Sequence, residues 1–315
     1  MRVLVTGSTG FVGKTVVRRL RGAGHEVREA VRRPGGSPTP QVVAVGDICG
    51  STDWREALEG IDAVVHLAAR AHVMKDTADG ARLFAATNAE GTLRLAEAMR
   101  QAGVRRMVFM STIKVNGEST TGAPFRADDL PAPADPYAVS KYEAEQGLLR
   151  MSSLDPVIIR PPLVYGPGVK GNLARFCRLA DLGLPVPFGA IDNRRDLIGL
   201  DNLADLVATC VTHPAAARRV FLAADGVPLS TPRLYAMIAD SMARSPRMLR
   251  VSPDLLNRIG RWVGLGAELQ RLTGSLEIDL SGTRRALNWS PPVASEVGIA
   301  AMTAAYRAAV HNVAP

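Results

Sequence analysis

The sequence of 315 residues has little cysteine, little histidine and no long apolar run. Its three cysteines, Cys49, Cys177 and Cys210, stand far apart without a CxxC pair, which argues against a disulfide framework or a zinc site and fits a reducing, cytoplasmic location. The five histidines show no HExxH or similar spacing, so no metal site is expected. No apolar run reaches about 18 residues and the N-terminus is already strand-like, so we expect neither a membrane span nor a signal peptide.

Positive charge is in excess, with 38 Lys and Arg against 30 Asp and Glu and a sequence pI near 9.8. The arginines are scattered, however, and no basic run is interleaved with the aromatic residues, which make up only 5% of the chain. This pattern does not favour a nucleic-acid partner. Small phosphorylated ligands fit it better.

Short apolar strands alternate with helical patterns through the first half of the chain. The strand-like stretches read VLVTG, EVREAV, VVAVGD, DAVVHLAA, RRMVFMST and PVIIRPP. Such alternation predicts an α/β fold, a Rossmann-type doubly wound parallel sheet with right-handed crossovers. The rhythm breaks after about Pro167. We therefore predict a sheet domain over 1–166 and a smaller C-terminal lobe over 167–315, with some of its segments returning to the sheet.

The first strand runs directly into three glycines, in TGSTGFVG. In a strand–turn–helix context each glycine has its own use: Gly7 permits the tight turn, Gly10 lets backbone amides approach a pyrophosphate, and Gly13 lets the helix pack on the strand. The phosphates would then lie at the helix N-terminus, where free N–H groups favour negative charge. The loop therefore predicts a dinucleotide-binding site.

The end of the second strand bears on which dinucleotide is bound. An acidic residue there would hold the ribose 2′-OH of NAD, but the strand ends with Arg32 and Arg33. Arginines can grip a 2′-phosphate, so this end favours NADP slightly over NAD, unless both side chains are simply exposed. Asp47 follows the third strand and is placed to accept a hydrogen bond from the adenine amino group.

Tyr137 and Lys141 are four residues apart in DPYAVSKYEAE, so on a helix they share one face. A phenol with a pKa of about 10 is a poor base at neutral pH. A nearby ammonium and a nicotinamide cation would both lower that pKa, so that Tyr137 can exchange a proton with a sugar hydroxyl or ketone. A hydroxyl at the end of the fifth strand would orient the same oxygen; Thr112 is the candidate and Ser111 the alternate.

Taken together, these motifs resemble an extended short-chain dehydrogenase/reductase of the nucleotide-sugar epimerase/dehydratase group. The matching segments are TGSTGFVG, HLAAR, TNAEGT, STIKVNGE, YAVSK, RPPLVYGPG, RRDLIGLDNLADL and DLSGTRRALNWSPP. They span nearly the whole chain. The resemblance implies that the C-terminal lobe binds substrate, and it implies coenzyme contacts at Gly7, Thr9, Gly10, Phe11, Val12, Gly13, Arg32, Arg33, Asp47, Ile48, Leu67, Ala68, Ala69, Asn88, Tyr137, Lys141 and Pro162.

The same resemblance implies substrate contacts at Lys114, Asn116, Asn172 and Arg195. Two positions depart from the group's pattern: Asn116 stands where Tyr is usual, and Leu163 stands where an Asn that meets the diphosphate is usual. A 4,6-dehydratase would carry an Asp-Glu pair directly after the catalytic hydroxyl. Ile113 and Lys114 occupy those places, so dehydration is not favoured.

The expected reaction is NAD(P)-dependent hydride exchange at C4 of a UDP-hexose or UDP-N-acetylhexosamine, in surface polysaccharide synthesis. The sequence leaves an epimerase and an NADPH-dependent reductase of 4-keto-6-deoxy sugars open, and from another class a non-catalytic NADP-binding regulator. By resemblance, a homodimer through the helices ending near Arg100 and Arg150 is an option. The amphipathic segment 255–265 is expected to be a packed helix of the lobe and not a membrane contact.

Overall fold

The computed structural model describes residues 1–33, 39, 41–71, 78–262, 264 and 266–311. Seven strands of this part of the chain form one parallel sheet in the order β3-β2-β1-β4-β5-β6-β9, and β7 pairs with β8 apart from it. The strands are β1 (Arg2–Thr6), β2 (Glu26–Val31), β3 (Val42–Ala44), β4 (Ala63–His66), β5 (Arg106–Met110), β6 (Asp155–Arg160), β7 (Leu163–Tyr165), β8 (Leu197–Gly199) and β9 (Arg219–Leu222). The order reverses between β1 and β4, which confirms the predicted doubly wound fold and marks the edge where such sheets bind ligands.

Helices cover both faces of the sheet and build the smaller lobe. They are α1 (Phe11–Gly22), α2 (Arg55–Leu58), α3 (Ala78–Phe84), α4 (Gly91–Gln101), α5 (Pro136–Arg150), α6 (Gly171–Asp181), α7 (Leu200–Thr212), α8 (Thr231–Ser241), α9 (Pro253–Trp262), α10 (Gly266–Thr273), α11 (Ser281–Leu287) and α12 (Ser295–His311). A π-helical stretch, Ala85–Glu90, joins α3 to α4, and Ile113–Val115 and Pro214–Ala216 form 3₁₀ turns. Among the helices described, none has the length and apolarity that a membrane crossing requires.

The strands of the sheet are buried on both faces. In β1, Val3 and Val5 enter the core on the side of α1 and α7, whereas Leu4 enters the core on the side of α4 and α5. All three side chains are fully buried. Each contributes about 1.5–3 kcal/mol of hydrophobic stabilisation. This two-sided burial explains why the strands read as continuous apolar runs and not as alternating patterns.

The chain leaves the sheet domain after β6 and returns to it through α7 and β9. Strand β9 pairs with β6 in parallel, and α7 packs against α1. Asp205 of α7 accepts hydrogen bonds from Arg19 of α1 at 2.6 Å and from the Trp289 indole N–H at 2.8 Å, which fastens the later chain to the first helix. The lobe has a separate core in which the rings of Phe176, Phe188 and Tyr235 pack on one another. The boundary at residue 166 stays a prediction.

Candidate active site

The glycine loop is closed so tightly that two of its glycines admit no side chain. Gly7 has a φ of +70°, and a Cβ there would lie 2.7 Å from the backbone nitrogen of Ala68. A Cβ on Gly13 would lie 2.0 Å from the carbonyl oxygen of Gly7. Gly10 precedes the first residue of α1 and meets only that same oxygen, at 3.1 Å. The loop therefore brings backbone, without side chains, to the ligand-binding edge of the sheet.

This cradle fits a pyrophosphate. Helix α1 begins without a side-chain cap and has no acidic residue in its first turn, so its first N–H groups remain available to an anion. Ser8 lies in the same loop, and its buried hydroxyl has no hydrogen-bond partner among the described residues. The other loop residues expected at the coenzyme are partly or fully exposed: Thr9, Phe11 and Val12.

Several further residues predicted at the coenzyme lie at the same edge, just beyond the ends of the strands. Leu67 and Ala68 are half-buried and Ala69 is exposed after β4, while Pro162 is buried after β6. Ile48 lies against the first residue of α4, because a Cβ on Gly91 would lie 2.7 Å from its methyl carbon. These placements agree with a coenzyme along the edge, although contact with one stays a prediction.

At the end of β2 the structure pairs two residues that the sequence assigns to different parts of the coenzyme. The Arg32 guanidinium lies 2.7 Å from the Asp47 carboxylate, and both side chains are more than two-thirds exposed. An exposed pair of this kind contributes little to stability and can be separated by a ligand. Arg33 is exposed as well.

His66 ends β4 inside the protein and is hydrogen-bonded at both ring nitrogens. Thr92 donates its hydroxyl proton to the carbonyl of Asn88 at 2.7 Å, so it must accept the proton of His66 Nε2 at 3.0 Å. Nδ1 then accepts from the Thr6 hydroxyl at 2.7 Å. Burial lowers the pKa of His66 to about 3. The imidazole is thus a neutral part of the framework and not a base.

Asn88 is supplied by the π-helical stretch and holds the segment after β4 to α5. Its side-chain oxygen accepts from the Arg70 N–H at 2.9 Å, and its amide donates to the Arg70 carbonyl and to the Ser140 hydroxyl, each at 3.0 Å. Ser140 in turn donates to the carbonyl of Tyr137. Both amide protons of Asn88 are used within the protein, so Asn88 ties the segment after β4 to α5 and has no free donor for a coenzyme.

Tyr137 and Lys141 lie one turn apart on α5, which begins at Pro136 with Asp135 as its N-cap. The half-buried Tyr137 ring meets the Phe84 ring edge-on, with centroids 5.9 Å apart. Lys141 is fully buried, and its ammonium lies 4.0 Å from the centre of the Phe109 ring. That cation–π contact holds the amine in place on the inner side of the helix.

Burial shifts the pKa values of Tyr137 and Lys141 in opposite directions, each towards the uncharged form of the side chain. Burial, and secondarily the Asp135 carboxylate, raises the pKa of Tyr137 to about 12. Burial lowers the pKa of Lys141 to about 7, which outweighs the opposing effect of Glu145. In the protein without coenzyme, removal of water from the phenol dominates the pKa of Tyr137. The fall expected from Lys141 together with a nicotinamide cation stays a prediction.

The two hydroxyls at the end of β5 have different partners. Ser111 donates to the carboxylate of Glu145 in the protein interior. Thr112 caps the following 3₁₀ turn by accepting the Lys114 N–H at 3.3 Å, and among the described contacts it donates to no protein group. Thr112 therefore has a proton available for a ligand oxygen, whereas Ser111 does not.

A buried ion pair that sequence reasoning missed lies behind these hydroxyls. Arg160 at the end of β6 donates to both carboxylate oxygens of Glu145, to Oε1 at 3.0 Å and to Oε2 at 2.5 Å. Glu145 lies four residues after Lys141, so the helical spacing could have indicated it. Arg160 also donates to the side-chain oxygen of Asn116 at 2.9 Å, and the Asn116 amide donates to the Arg126 carbonyl at 2.8 Å. Asn116, predicted to contact substrate, is instead buried with both ends of its amide bonded to protein.

Where the lobe meets the loop after β5, two cations pair with one carboxylate and a third senses its charge. Glu118 pairs with Lys114 at 2.9 Å and with Arg271 at 3.8 Å, and its charge also acts on Arg195. Lys114 additionally pairs with Asp135, and Arg195 donates to the Gly274 carbonyl at 2.9 Å. Burial lowers the pKa of Arg195. Such a group of cations suits a diphosphate, which could take over contacts made here by Glu118.

Asn172, the remaining residue expected at the substrate, lies in the first turn of α6. It is half-buried, and its side-chain oxygen lies 3.4 Å from a nitrogen of Arg175. No contact described here joins it to Lys114 or Arg195. The structure therefore pairs Lys114 with Glu118, and the substrate contacts of Lys114, Arg195 and Asn172 stay predictions.

A glycine cradle at the switch point of the sheet, beside a tyrosine–lysine helix and a strand-end hydroxyl, defines a dinucleotide-dependent enzyme of the short-chain dehydrogenase/reductase type. A family model described as the NAD dependent epimerase/dehydratase family matches residues 3–224. The chain belongs to that family.

Similar proteins extend over nearly the whole chain. A UDP-glucose 4-epimerase of Vibrio cholerae is 43% identical over 303 residues, which cover 94% of this chain and 92% of the relative. A UDP-glucose 4-epimerase of Mycolicibacterium smegmatis is 31% identical, with 95% and 96% covered. Among solved structures, MoeE5 in complex with UDP-glucose and NAD is 25% identical and superposes with a TM-score of 0.78, covering 98% of this chain and 100% of that one.

Proposed function

We propose that this protein is a UDP-hexose 4-epimerase that interconverts UDP-glucose and UDP-galactose with bound NAD. The observation that carries the proposal is the joint presence of Thr112, Tyr137 and Lys141 beside the glycine cradle, in a chain 43% identical to a UDP-glucose 4-epimerase along nearly its full length. Either product would be a sugar donor for glycosyl transfer, which agrees with the predicted role in surface polysaccharide synthesis.

The coenzyme would lie on the loop from Gly7 to Gly13, with its adenine end towards Ile48 and its nicotinamide end towards Tyr137. When bound, the nicotinamide supplies the acceptor and donor of hydride for C4 of the sugar. We propose NAD and not NADP, because the family is described as NAD dependent, MoeE5 binds NAD, and Arg32 is already paired with Asp47. This reverses the slight preference for NADP drawn from the sequence.

The proton chemistry falls to Tyr137. Its phenolate form would take the O4 proton of the sugar as C4 is oxidised, and the phenol would return that proton to O4 as C4 is reduced on the opposite face. Thr112 would donate a hydrogen bond to O4 and fix its position. Lys141 would supply positive charge that favours the phenolate, and the cationic coenzyme adds to that charge.

The cations around Glu118 would hold the diphosphate of the substrate. These cations come from different parts of the chain. Lys114 lies in the 3₁₀ turn after β5, Arg195 lies just before β8, and Arg271 lies in α10. A diphosphate bound among them would join the lobe to the sheet domain. The sugar must rotate between oxidation and reduction, so we expect it to be held more loosely than the diphosphate.

The test is incubation of the purified protein with UDP-glucose, UDP-galactose and the corresponding N-acetylhexosamines, with products separated chromatographically. Interconversion of the hexoses without net consumption of coenzyme supports an epimerase. Stoichiometric oxidation of NADH or NADPH with a 4-keto sugar, and no interconversion, would establish the reductase instead. The Tyr137→Phe variant serves as the inactive control.

A further inference from the structure

Helix α9 of the lobe presents an apolar stripe to solvent. Leu255, Ile259 and Trp262, spaced by four and three residues, share one side of the helix and are 48%, 50% and 94% exposed. The buried side is narrow and consists of Leu256 and Gly260. The helix is thus amphipathic, but three of its six exposed residues are large and apolar, where a surface helix ordinarily exposes polar residues.

This differs from the expectation of a packed helix over 255–265, of which residues 263 and 265 lie outside the described part of the chain. Sequence periodicity alone cannot tell which apolar residues of a helix meet the protein. Here Leu256 and Gly260 are buried on one side of α9, and the larger residues are left on the other.

The charges around this stripe are predominantly positive. Between residues 247 and 261 the chain has four arginines and one acidic residue, Asp254. Arg258 and Arg261 of α9 are both exposed. At 100° per residue, Arg258 flanks the apolar stripe on the side away from Leu256. The only acidic residue of α9 is Asp254, in its first turn.

The segment leading into α9 extends the exposed apolar character of this part of the lobe. Leu249 is 56% exposed and is hydrogen-bonded through its backbone to Val186 at 2.8 Å and to Gly189 at 2.9 Å. It is followed directly by Arg250, which is also exposed. Apolar and basic side chains therefore alternate along the approach as well as on the helix.

We propose that α9 docks this enzyme on an anionic membrane surface, with Leu255, Ile259 and Trp262 entering the headgroup region and Arg258 and Arg261 contacting lipid phosphates. Helices that lie in this interface combine an apolar face carrying an aromatic residue with basic residues at its border. Each arginine near an anionic surface strengthens binding by about fivefold. The inference goes beyond the proposed epimerase activity and does not depend on it.

A second copy of the chain is the less suitable occupant. A two-fold contact places the same surface on both sides, so the arginines beside the stripe would face each other. Acidic residues that could separate them are scarce in this segment. A phospholipid surface offers the opposite charge and accepts the apolar stripe at the same time.

The experiment uses the full-length protein and vesicles of phosphatidylcholine alone or mixed with phosphatidylglycerol. We expect cosedimentation with the anionic vesicles at low salt, loss at high salt, and a blue shift of tryptophan emission. That shift would report on Trp262, because Trp54 and Trp289 are buried. Trp262→Ser should weaken binding by roughly tenfold or more, and Arg258→Gln by about fivefold.

Two control variants match these changes elsewhere on the surface. Val297→Ser removes an apolar side chain that is 61% exposed on α12, and Arg55→Gln removes an exposed arginine of α2. Neither should change vesicle binding. The proposal is overturned if anionic vesicles do not bind the protein at low salt, or if Trp262→Ser and Arg258→Gln bind like the controls. Self-association abolished by Trp262→Ser, without vesicle binding, would likewise overturn it and assign the face to a second copy.

Discussion

The hydroxyl of Ser111 is bound to the carboxylate of Glu145, whereas the adjacent hydroxyl of Thr112 keeps its proton free. Successive residues of an extended strand point to opposite sides. One hydroxyl therefore belongs to the interior of the sheet domain, and the other to the edge where the coenzyme and the sugar are expected. This division favours Thr112 over Ser111 for the proposed catalytic role, a choice that the sequence alone leaves open.

We expect Thr112→Val to lower kcat by roughly 10²–10³-fold with little effect on stability, because it removes a hydrogen bond to the reacting oxygen. Ser111→Ala should instead lower the free energy of unfolding by about 1–3 kcal/mol, since Glu145 loses a buried partner. Steady-state kinetics and urea unfolding of both variants measure these effects. Loss of kcat in Ser111→Ala at unchanged stability would transfer the catalytic role to Ser111.

Tyr137 should ionise only at high pH when the coenzyme is absent. Burial raises its pKa to about 12, so at neutral pH the phenol is almost entirely protonated. A bound nicotinamide cation should lower that pKa, because opposite charge favours the phenolate. Absorbance titration of the coenzyme-free and NAD-bound forms, with Tyr137→Phe as the reference, measures both values. An unchanged pKa in the NAD-bound form would contradict the proposed role of the phenol as a base.

The ion pair of Glu145 and Arg160 should matter for stability more than for chemistry. Removing one member leaves the other charge buried without its partner, which costs about 3–5 kcal/mol. Arg160→Met should therefore unfold at much lower urea concentration, and Glu145→Gln together with Arg160→Met should recover part of the loss. A double variant no more stable than Arg160→Met would show that the pair is not the source of the effect.

The sequence could predict the features that depend on local pattern. The glycine spacing, the apolar strands and the i, i+4 pair on α5 each lie within a short segment, and the parallel sheet then brings strand ends together. The sequence could not predict the partners of Asn116, because Arg160 is 44 residues away and only the fold shows that their side chains meet. Nor could it show that burial outweighs charge at Tyr137, since burial is a property of the packed protein.

The protein should lose stability in mild acid through His66. Burial lowers the pKa of His66 to about 3 from an ordinary 6.5, so below pH 6.5 the unfolded chain binds a proton that the folded protein does not. The contribution of His66 to stability should therefore fall as pH decreases, by about 1 kcal/mol for each pH unit. Burial also raises the pKa of Asp196 to about 6, which opposes the loss because the folded protein then binds the extra proton.

The His66→Gln variant isolates the histidine contribution. Glutamine can accept from Thr6 and donate to Thr92, but it does not titrate. As pH falls from 6.5 to 4, the variant should lose less stability than the unaltered protein, or gain more, because only the histidine contribution is removed. Equal slopes for the two proteins would mean that His66 is not the acid-sensitive group.

Selection between NAD and NADP should depend on whether Asp47 holds Arg32. The 2.7 Å ion pair engages the guanidinium, and the Asp47 carboxylate would repel a 2′-phosphate. Asp47→Ala should therefore improve NADP affinity by about tenfold, because the released arginine can donate a charge-assisted hydrogen bond to the 2′-phosphate. Arg32→Ala should leave NAD affinity nearly unchanged, and Asp47→Ala combined with Arg32→Ala should lose the gain in NADP affinity.

Calorimetric titration of the coenzyme-free proteins measures each dissociation constant without reference to turnover. The assignment of NAD would be contradicted if the unaltered protein bound NADP more tightly than NAD and Arg32→Ala lost much of its NADP affinity. The preference for NADP drawn from Arg32 and Arg33 would then hold.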